Sequence, residues 1–474
     1  MRLAWPAVAA GSVLLAVAVT GASAVTPASG RPAGPATVPL ADVVTIRPDA
    51  IHILDGVLTT PPSTAFCEKH YHIACYLPAQ IQQAYNLPQL YRQGITGRGQ
   101  TIIIVDSFGS PTVQRDLARF DKATGLPAPP SLKVIQPAGT VPPYKPDADR
   151  EGWAGETDLD VEYAHTIAPD AHILLVETPT SENEGTTGFP QIVAAEKYVI
   201  SHRLGGVISQ SFSATEQTFP SRRALLDLRG AYIDAARSGV TVLAASGDSG
   251  AADVKFNQVT YYLHPVTSWP DSDPLVTGIG GTQLHFNSAG QPIAPTVWND
   301  TYNKAANEFA EGNAGPNPLA GGGGKSIFFT RPSYQNGVRS VVGDHRGVPD
   351  ISMSAACNGS VDTYGTFGGA PAGWSPACGT SEATPLFAGI VALADQVAGH
   401  SLGLINPALY QLSAEHAPGI VDVTSGNNTV SFQQGGRKVT VRGFTARPGY
   451  DLASGVGTVN AEYFVRELAF LAGH

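Results

Sequence analysis

The chain has 474 residues, of which 43% are hydrophobic and 14% charged, so it can bury one large core or two medium ones. This composition excludes an intrinsically disordered chain, and the formal net charge of -10 argues against nucleic acid as a partner. Beyond the N-terminus no run approaches the roughly 20 apolar residues that a membrane span needs, so we expect none.

The N-terminus has the features of an export signal. Arg2 precedes an apolar run over residues 7–19, and Ala22-Ser23-Ala24 matches the small-residue pattern of a signal-peptidase site. We therefore expect a signal peptide over residues 1–24 and a secreted, extracellular protein. Residues 25–64 are rich in Pro, Ala, Thr and Val and are interpreted as a pro-segment or linker, followed by a folded domain over residues 65–474.

Four cysteines suit an oxidising compartment, where an even count favours disulfides. Four cysteines allow three connectivities, and we favour the local one. The pairs are then Cys67 with Cys75 and Cys357 with Cys378. A metal site is the alternative for the first pair, because Cys67, His70, His72 and Cys75 are closely spaced thiol and imidazole ligands.

Strands and helices alternate over the first half of the domain. Residues 100–105 form a continuous apolar run that ends at Asp106, as in a strand buried on both faces of a parallel sheet. Further strands are predicted over 132–134, 172–176, 206–211 and 241–245, and helices over 79–91, 111–123, 155–167, 188–204 and 221–238. This order predicts an α/β fold with a mostly parallel, doubly wound sheet and a site at the carboxyl ends of its strands. Residues 262–345 are predicted to be rich in loops, and the last 60 to mix short strands with turns.

A small-residue turn leads into an apolar helix near the C-terminus. It reads Cys378-Gly379-Thr380-Ser381, and Pro385 is expected in the first helical turn. A hydroxyl at the start of a helix lies beside unpaired N–H groups, which stabilise a developing oxyanion. Such a serine can also be a simple N-cap.

Three carboxylates are candidates to act with Ser381. Glu156 and Asp160 are four residues apart, so they project from one face of the predicted helix, and Asp248 follows the strand over 241–245. If these groups converge, they form a serine hydrolase whose base is a carboxylate. The alternative for the pair on the helix is an exposed face, because carboxylates at this spacing are common.

Several runs resemble the sedolisin family of serine-carboxyl peptidases, in order from about Tyr76 to the C-terminus. They are Gly155–Glu162 with His165–Ala171, Val207–Phe212, Ser246–Gly250, Arg331–Gln335, Val348–Ser352 and Gly379–Ser381 with Pro385. The resemblance implies a subtilisin-like, three-layer αβα fold. It also implies Ser381 as nucleophile, Glu156 as general base, Asp160 behind Glu156, and Asp248 in the oxyanion hole. Residues 65–474 would then be the catalytic domain.

The same resemblance implies a structural calcium site near the C-terminus. Its ligands would be the side chains of Asp422 and Asp451 and the carbonyls of Val423, Arg447 and Gly449. Calcium prefers six or more such oxygen ligands. From the residues alone, aspartates in ordinary turns are the simpler interpretation.

Four other residues or motifs could be mistaken for catalytic or binding sites. Ser249 lies in a trypsin-like Gly-Asp-Ser-Gly run, but no upstream histidine motif accompanies it. Asp106 is at best an outer member of the acidic group, and His165 is interpreted as a structural histidine. Residues 324–326 tempt a P-loop interpretation, but Leu319 occupies the position of the required earlier glycine.

Together these features predict a secreted, monomeric, calcium-stabilised serine-carboxyl endopeptidase that cleaves proteins or peptides in acid. A tripeptidyl-peptidase of the same family is the nearest alternative, since its catalytic residues would be the same. A catalytically inactive secreted binding module on this scaffold is a third possibility.

Overall fold

The central sheet is built around a strand that contains the run Ile102–Val105, in which each side chain is fully buried. The computed structural model describes residues 51–52, 58–368 and 372–473. These belong to one compact unit, Val43–His474. The predicted signal peptide and most of the predicted pro-segment lie outside the described residues.

Helices and strands alternate through most of this unit. The α-helices are α1 (Thr64–His70), α2 (Pro78–Ala84), α3 (Leu87–Arg92), α4 (Val113–Thr124), α5 (Ala148–Ile167), α6 (Phe189–Ser201), α7 (Arg222–Leu228), α8 (Gly230–Ser238), α9 (Lys304–Glu311), α10 (Arg339–Val342), α11 (Thr380–Ala398), α12 (Asn406–Ala414) and α13 (Ala461–Ala472). Short 3-10 helices span Glu216–Thr218 and Ser333–Val338.

The strands vary from two to ten residues in length. They are β1 (Ile51–His52), β2 (Cys75–Tyr76), β3 (Thr101–Ser107), β4 (Leu132–Ile135), β5 (His172–Thr178), β6 (Val207–Gln210), β7 (Ala214–Thr215), β8 (Thr241–Ala245), β9 (Ser268–Trp269), β10 (Thr277–Phe286), β11 (Pro292–Val297), β12 (Gly324–Thr330), β13 (His345–Val348), β14 (Ile351–Ser354), β15 (Ser360–Gly365), β16 (Gly373–Cys378), β17 (Ile420–Val421), β18 (Val430–Gln434), β19 (Arg437–Val441) and β20 (Thr458–Val459).

The largest sheet has eight strands and is mostly parallel. Its order is β4-β5-β3-β6-β8-β10, with β14 parallel and β11 antiparallel to β10. Each crossover between parallel neighbours requires a long connection, which the helices provide. The predicted α/β fold with a mostly parallel, doubly wound sheet is therefore confirmed.

Alternate residues of β3 face two separate cores. Ile102 and Ile104 pack in the core that contains residues of α5 and α11, whereas Ile103 and Val105 pack in the core that contains residues of α6 and α8. Because successive side chains of a strand point to opposite faces, the helices form a layer on each side of the sheet. This arrangement is the predicted three-layer αβα architecture.

Two predicted helices are each divided in two. The helix predicted over 79–91 is interrupted at Asn86, whose left-handed backbone (φ 59°) separates α2 from α3. The helix predicted over 221–238 is divided at Arg229, where α7 ends and α8 begins. The helix predicted from residue 155 begins earlier, at Ala148, because the side chain of Asp147 caps the N–H of Arg150 at 3.0 Å.

The region predicted to be rich in loops contributes the longest strand of the central sheet, β10. The strand was not predicted because it contains three glycines, which are more typical of loops. A Cβ at Gly280 would lie 2.5 Å from the Ser352 hydroxyl, and one at Gly281 would lie 2.8 Å from the Trp298 ring. These glycines are needed for close packing, although glycine is otherwise unfavourable in strands. The final segment also ends in a helix, α13, which was not predicted.

Both local disulfides are confirmed: Cys67 bonds to Cys75, and Cys357 bonds to Cys378. The metal site proposed around the first pair is therefore wrong, because neither sulfur is available as a thiolate. The second disulfide joins the segment after β14 to the last residue of β16, close to Ser381 in the chain.

The fold also excludes two of the alternative motifs. Residues 324–326 begin β12, so they do not form the loop between a strand and a helix that a P-loop requires. Ser249 lies in an α/β domain instead of the all-β fold of trypsin-like peptidases. Within the residues described, we find no helix with the length and apolar character needed to cross a bilayer.

Close packing of α11 against α5 depends on Gly389. A Cβ at this position would lie 2.5 Å from the Ile167 Cβ and 3.2 Å from the Ala164 carbonyl oxygen. Both helices are long, and residues of both pack in the same core. This contact therefore sets how closely the two helices approach.

We expect Gly389→Ala to destabilise the protein by about 1–2 kcal/mol. Overpacking costs about 1–3 kcal/mol, and the higher helix propensity of alanine returns up to about 1 kcal/mol. Chemical denaturation of both proteins would measure the difference. Gly337→Ala is the matched control, since a Cβ there meets no atom within 4 Å. Equal destabilisation by both variants would contradict the packing argument.

Candidate active site

Ser381 is the second residue of α11 and is fully buried. The helix follows Gly379, whose φ of 123° suits glycine at the sharp turn out of β16. Pro385 is not in the first turn, as was predicted, but is the sixth residue of the helix. Because proline has no N–H, the carbonyl of Ser381 lacks the helical donor that residue 385 would otherwise supply.

Ser211 connects Ser381 to Asp160, one of the two candidate carboxylates on α5. It follows β6 at the carboxyl end of the sheet, and its hydroxyl donates to Asp160 Oδ1 at 2.7 Å and to the Ser381 carbonyl oxygen at 3.4 Å. In the other direction, Ser381 Oγ donates to the Ser211 carbonyl oxygen at 3.3 Å. The structure therefore brings Asp160 and Ser381 to opposite sides of one serine.

Asp160 also contacts Asp106, the residue near the end of β3. Both carboxyls are fully buried, and the charge of Asp106 opposes the ionisation of Asp160. Burial raises the pKa of Asp106 to about 7, and the charge of Glu177 adds to this effect while a hydrogen bond with Thr157 opposes it. Burial, followed by the charge of Asp106, raises the pKa of Asp160 well above its usual range. Two carboxyls in such contact share a proton.

Glu156 lies one turn before Asp160 on α5 and is fully buried. The helix is buried from Trp153 to Ile167, which rules out the alternative of an exposed carboxylate face. Asp158 and Glu162 on the same helix are buried as well, and burial raises the pKa of each well above the usual range. Spacing alone could not show this, because an i,i+4 pair has the same spacing on a buried and on an exposed helix.

Asp248, in the loop after β8, contacts the first residue of α11. Its Oδ1 accepts the Thr380 N–H at 2.7 Å and the Thr380 hydroxyl at 2.9 Å, and the Gly247 N–H donates to the same hydroxyl at 3.1 Å. The loop after β8 and the nucleophile turn are thus joined directly. Asp248 is adjacent in space to the residue that precedes Ser381.

The predicted calcium residues form one cluster of loops near the C-terminus. Asp422 Oδ2 accepts the Gly449 N–H at 2.8 Å, and Asp451 Oδ2 accepts the Arg447 N–H at 2.9 Å. Asp451 Oδ1 accepts the N–H groups of Ala453 and Ser454, both at 2.9 Å. Both carboxylates therefore bind the segment that carries the predicted carbonyl ligands.

Ser211 was absent from the predicted site. Its sequence signal is modest, since it is one of several serines near the end of β6. A polar residue at the carboxyl end of a parallel strand is the feature that could have identified it. His165, by contrast, is a structural residue as predicted: its Nε2 lies 2.7 Å from the Pro127 carbonyl oxygen and 3.3 Å from Asp121 Oδ1.

Comparison with known proteins relates the chain to a peptidase family. It is 31% identical to kumamolisin from Bacillus sp. (strain MN-32) over 397 residues, which make up 81% of this chain and 62% of kumamolisin. It is 29% identical to sedolisin from Pseudomonas sp. (strain 101) over 368 residues, or 77% of this chain and 57% of that protein. No family model matches the chain.

A solved structure agrees with these relatives. Pseudomonas sedolisin, a serine-carboxyl proteinase complexed with two molecules of pseudo-iodotyrostatin, matches with a TM-score of 0.69 and 26% identity, over 84% of this chain and 99% of that chain. The chain belongs to the sedolisin family. It is also 28% identical to human tripeptidyl-peptidase 1 over 335 residues, which are 67% of this chain and 52% of that protein. The chain thus spans less than two thirds of the length of these curated sedolisin relatives.

We expect this sedolisin-family protein to lose stability as the pH rises from 4 to 8. Burial raises the pKa of Asp106 to about 7 and that of Glu196 to about 8, whereas aspartate and glutamate in an unfolded chain titrate near 4. In this window the folded state binds more protons than the unfolded state. Stability from these groups is therefore present below about pH 4 and lost as the pH rises through the folded pKa values.

Thermal and urea unfolding between pH 4 and pH 8 would measure this dependence. Glu196→Gln should flatten it by roughly 4 kcal/mol over the window, because the variant has no proton to lose at that buried position. Asp227→Asn, which changes an exposed carboxylate on α7, should keep the wild-type slope. A Glu196→Gln protein with the same slope as the wild type would contradict the argument.

Proposed function

We propose that the protein is a secreted serine-carboxyl endopeptidase that hydrolyses proteins or peptides in acid, with Ser381 as nucleophile. The observation that carries this proposal is the hydrogen-bonded connection from Asp160 through Ser211 to Ser381, at a helix start that also binds Asp248. Family membership supports it, and so do the two disulfides, which suit an oxidising compartment.

In the proposed mechanism, Ser381 Oγ attacks the carbonyl carbon of the scissile bond while its proton passes to Glu156. Glu156 then donates this proton to the leaving amine, and an acyl-enzyme remains until water hydrolyses it. A carboxylate whose pKa is raised by burial can accept a proton in weak acid, where histidine is largely protonated. Asp160 lies one turn after Glu156 on α5, and the proton that it shares with Asp106 would help Glu156 to change its protonation state during the reaction.

Asp248 would stabilise the tetrahedral oxyanion. An ionised carboxylate would repel this oxyanion, so Asp248 acts as a donor only when it is protonated. Both donors from Thr380 bind Oδ1, which supports placing the proton on Oδ2. This requirement gives a second reason for acid activity, because a rise in pH removes the proton that binds the oxyanion.

A tripeptidyl-peptidase is the second candidate, favoured by the 28% identity to human tripeptidyl-peptidase 1. The two functions use the same chemistry and differ in whether the substrate's N-terminus must be bound. We propose endopeptidase activity first, because kumamolisin matches more of this chain at higher identity.

We also propose a structural calcium site formed by the Asp422 and Asp451 side chains and the carbonyls of Val423, Arg447 and Gly449. The donor set fits calcium, which prefers hard carboxylate and carbonyl oxygens. Both aspartates bind N–H groups of the segment over 447–454, so the oxygens already belong to one small cluster of loops. A bound calcium ion would join these loops and offset the repulsion between the carboxylates.

The central test is peptide hydrolysis by the secreted protein between pH 3 and pH 8. We expect activity in acid that is lost toward neutral pH. Ser381→Ala should lower kcat by at least 10⁴-fold, and Glu156→Gln by roughly 10³-fold, because each removes a group required for acyl transfer. Asp227→Asn is the control for a surface change. Full activity at pH 8, or an active Ser381→Ala protein, would refute the mechanism.

Mapping the fragments of one unfolded protein substrate distinguishes the two modes of cleavage. Internal cuts support the endopeptidase, whereas a ladder of tripeptides from the N-terminus supports the exopeptidase. A folded protein with no cleavage at any pH from 3 to 8 would instead support the inactive binding scaffold.

We expect a calcium chelator to lower the melting temperature. A ligand present at 100 times its Kd stabilises the folded state by about 2.7 kcal/mol, which corresponds to a shift of roughly 3 °C for a folded unit of this size. Asp422→Asn should melt at the same temperature with and without chelator, while Asp227→Asn should respond like the wild type. An unchanged wild-type melting temperature would show that this calcium site is wrong.

A further inference from the structure

Ser211 occupies an unusual position between two parts of the site. It is fully buried, it lies just beyond β6, and it exchanges hydrogen bonds with Ser381 in both directions. Its hydroxyl also donates to Asp160, with the shorter of its two donor distances, 2.7 Å. A serine hydroxyl has one hydrogen, so these two acceptors compete for the same proton.

The carbonyl of Ser381 lacks the usual donor within its own helix. In an uninterrupted helix the N–H of residue 385 would donate to it, but Pro385 has none. The Ser211 hydroxyl lies 3.4 Å from this carbonyl oxygen. A buried carbonyl without a partner is costly, so the position of Ser211 bears directly on the turn that carries Ser381.

We propose that Ser211 is a positioning residue whose hydroxyl couples the protonation of Asp160 to the backbone of the nucleophile turn. This inference rests on the proposed peptidase function. When Asp160 is ionised, the Ser211 hydrogen is directed to its Oδ1. When Asp160 is protonated, its own O–H can donate to Ser211 Oγ, and the Ser211 hydrogen turns to the Ser381 carbonyl. The acceptor of the Ser211 hydroxyl thus depends on the charge of Asp160.

The hydrogen bond from Ser211 to Asp160 acts against the effect of nearby charges on the ionisation of Asp160. The titratable groups nearby are Asp106 on β3 with Glu177 of β5 beside it, Glu156 on α5, and Asp248 and Glu382 around the start of α11. All of these are carboxyls, and among them the charge of Asp106 opposes the ionisation of Asp160. The donation from Ser211 has the opposite effect, since it lowers the pKa of Asp160. Removal of the Ser211 hydroxyl should therefore make Asp160 harder to ionise.

The test compares pH profiles of kcat for the full-length protein and its variants. In Ser211→Ala the acidic limb, which in this mechanism requires Glu156 and Asp160 to lose a proton before Glu156 can accept the proton of Ser381, should move to higher pH by about 1 unit. The neutral limb, which reports Asp248, should stay in place. We expect kcat at the optimum to fall about tenfold with KM within twofold of the wild type, because the substrate contacts are unchanged.

Two further variants separate this role from simple packing. Ser211→Cys keeps a weak donor and should fall between the wild type and Ser211→Ala, and it replaces the alanine variant if that protein does not fold. Ser209→Ala, two residues earlier on β6, removes a buried hydroxyl and should leave both limbs of the pH profile in place.

The outcomes distinguish this inference from the proposed function. An active wild type whose acidic limb does not move in Ser211→Ala would overturn the role of Ser211 and leave the peptidase intact. An inactive wild type, or a fully active Ser381→Ala protein, would overturn the peptidase itself. A lower kcat with both limbs in place would show that Ser211 is only a packing residue.

Discussion

The close packing of α5 against α11 is the constraint on which the rest of the site depends. Gly389 permits the contact, because any side chain there would overlap Ile167 and the backbone of α5. The contact encloses carboxyls of α5 and keeps water away from them. Without water, each carboxyl favours its protonated form, as the raised pKa of Asp160 indicates. Helix packing thus contributes to the burial that raises the pKa of Asp160.

This burial connects stability and proposed activity through one physical cause. Asp160, one turn after the proposed base Glu156, is among the carboxyls whose ionisation opposes folding, so acid favours both the fold and the proposed mechanism. Asp106 shows the link most clearly, since it is buried, its charge opposes the ionisation of Asp160, and its own pKa is raised to about 7. The disulfide between Cys357 and Cys378 supports the same region, because it holds the chain that enters α11.

The sequence was most informative where a pattern was local. The apolar run over 100–105 and the small residues before Ser381 predicted a buried strand and a helix start, and both are present. The predictions failed where a distant contact overrides the local pattern. The glycines of β10 resemble a loop until the neighbouring Trp298 and Ser352 are in place, and Asn86 divides a segment whose apolar spacing suits one helix.

By itself the sequence determined the α/β class from the alternation of strands and helices. It favoured the local disulfide pairing, and its resemblance to a peptidase family indicated the candidate residues Glu156, Asp160, Asp248 and Ser381. Only the tertiary structure decided that α5 is buried, that Asp106 contacts Asp160, and that Ser211 lies between the acidic pair and α11. These facts depend on which surfaces meet when the sheet and its helices pack. The desolvation that raises a carboxyl's pKa arises from that packing and has no signature in the order of the residues.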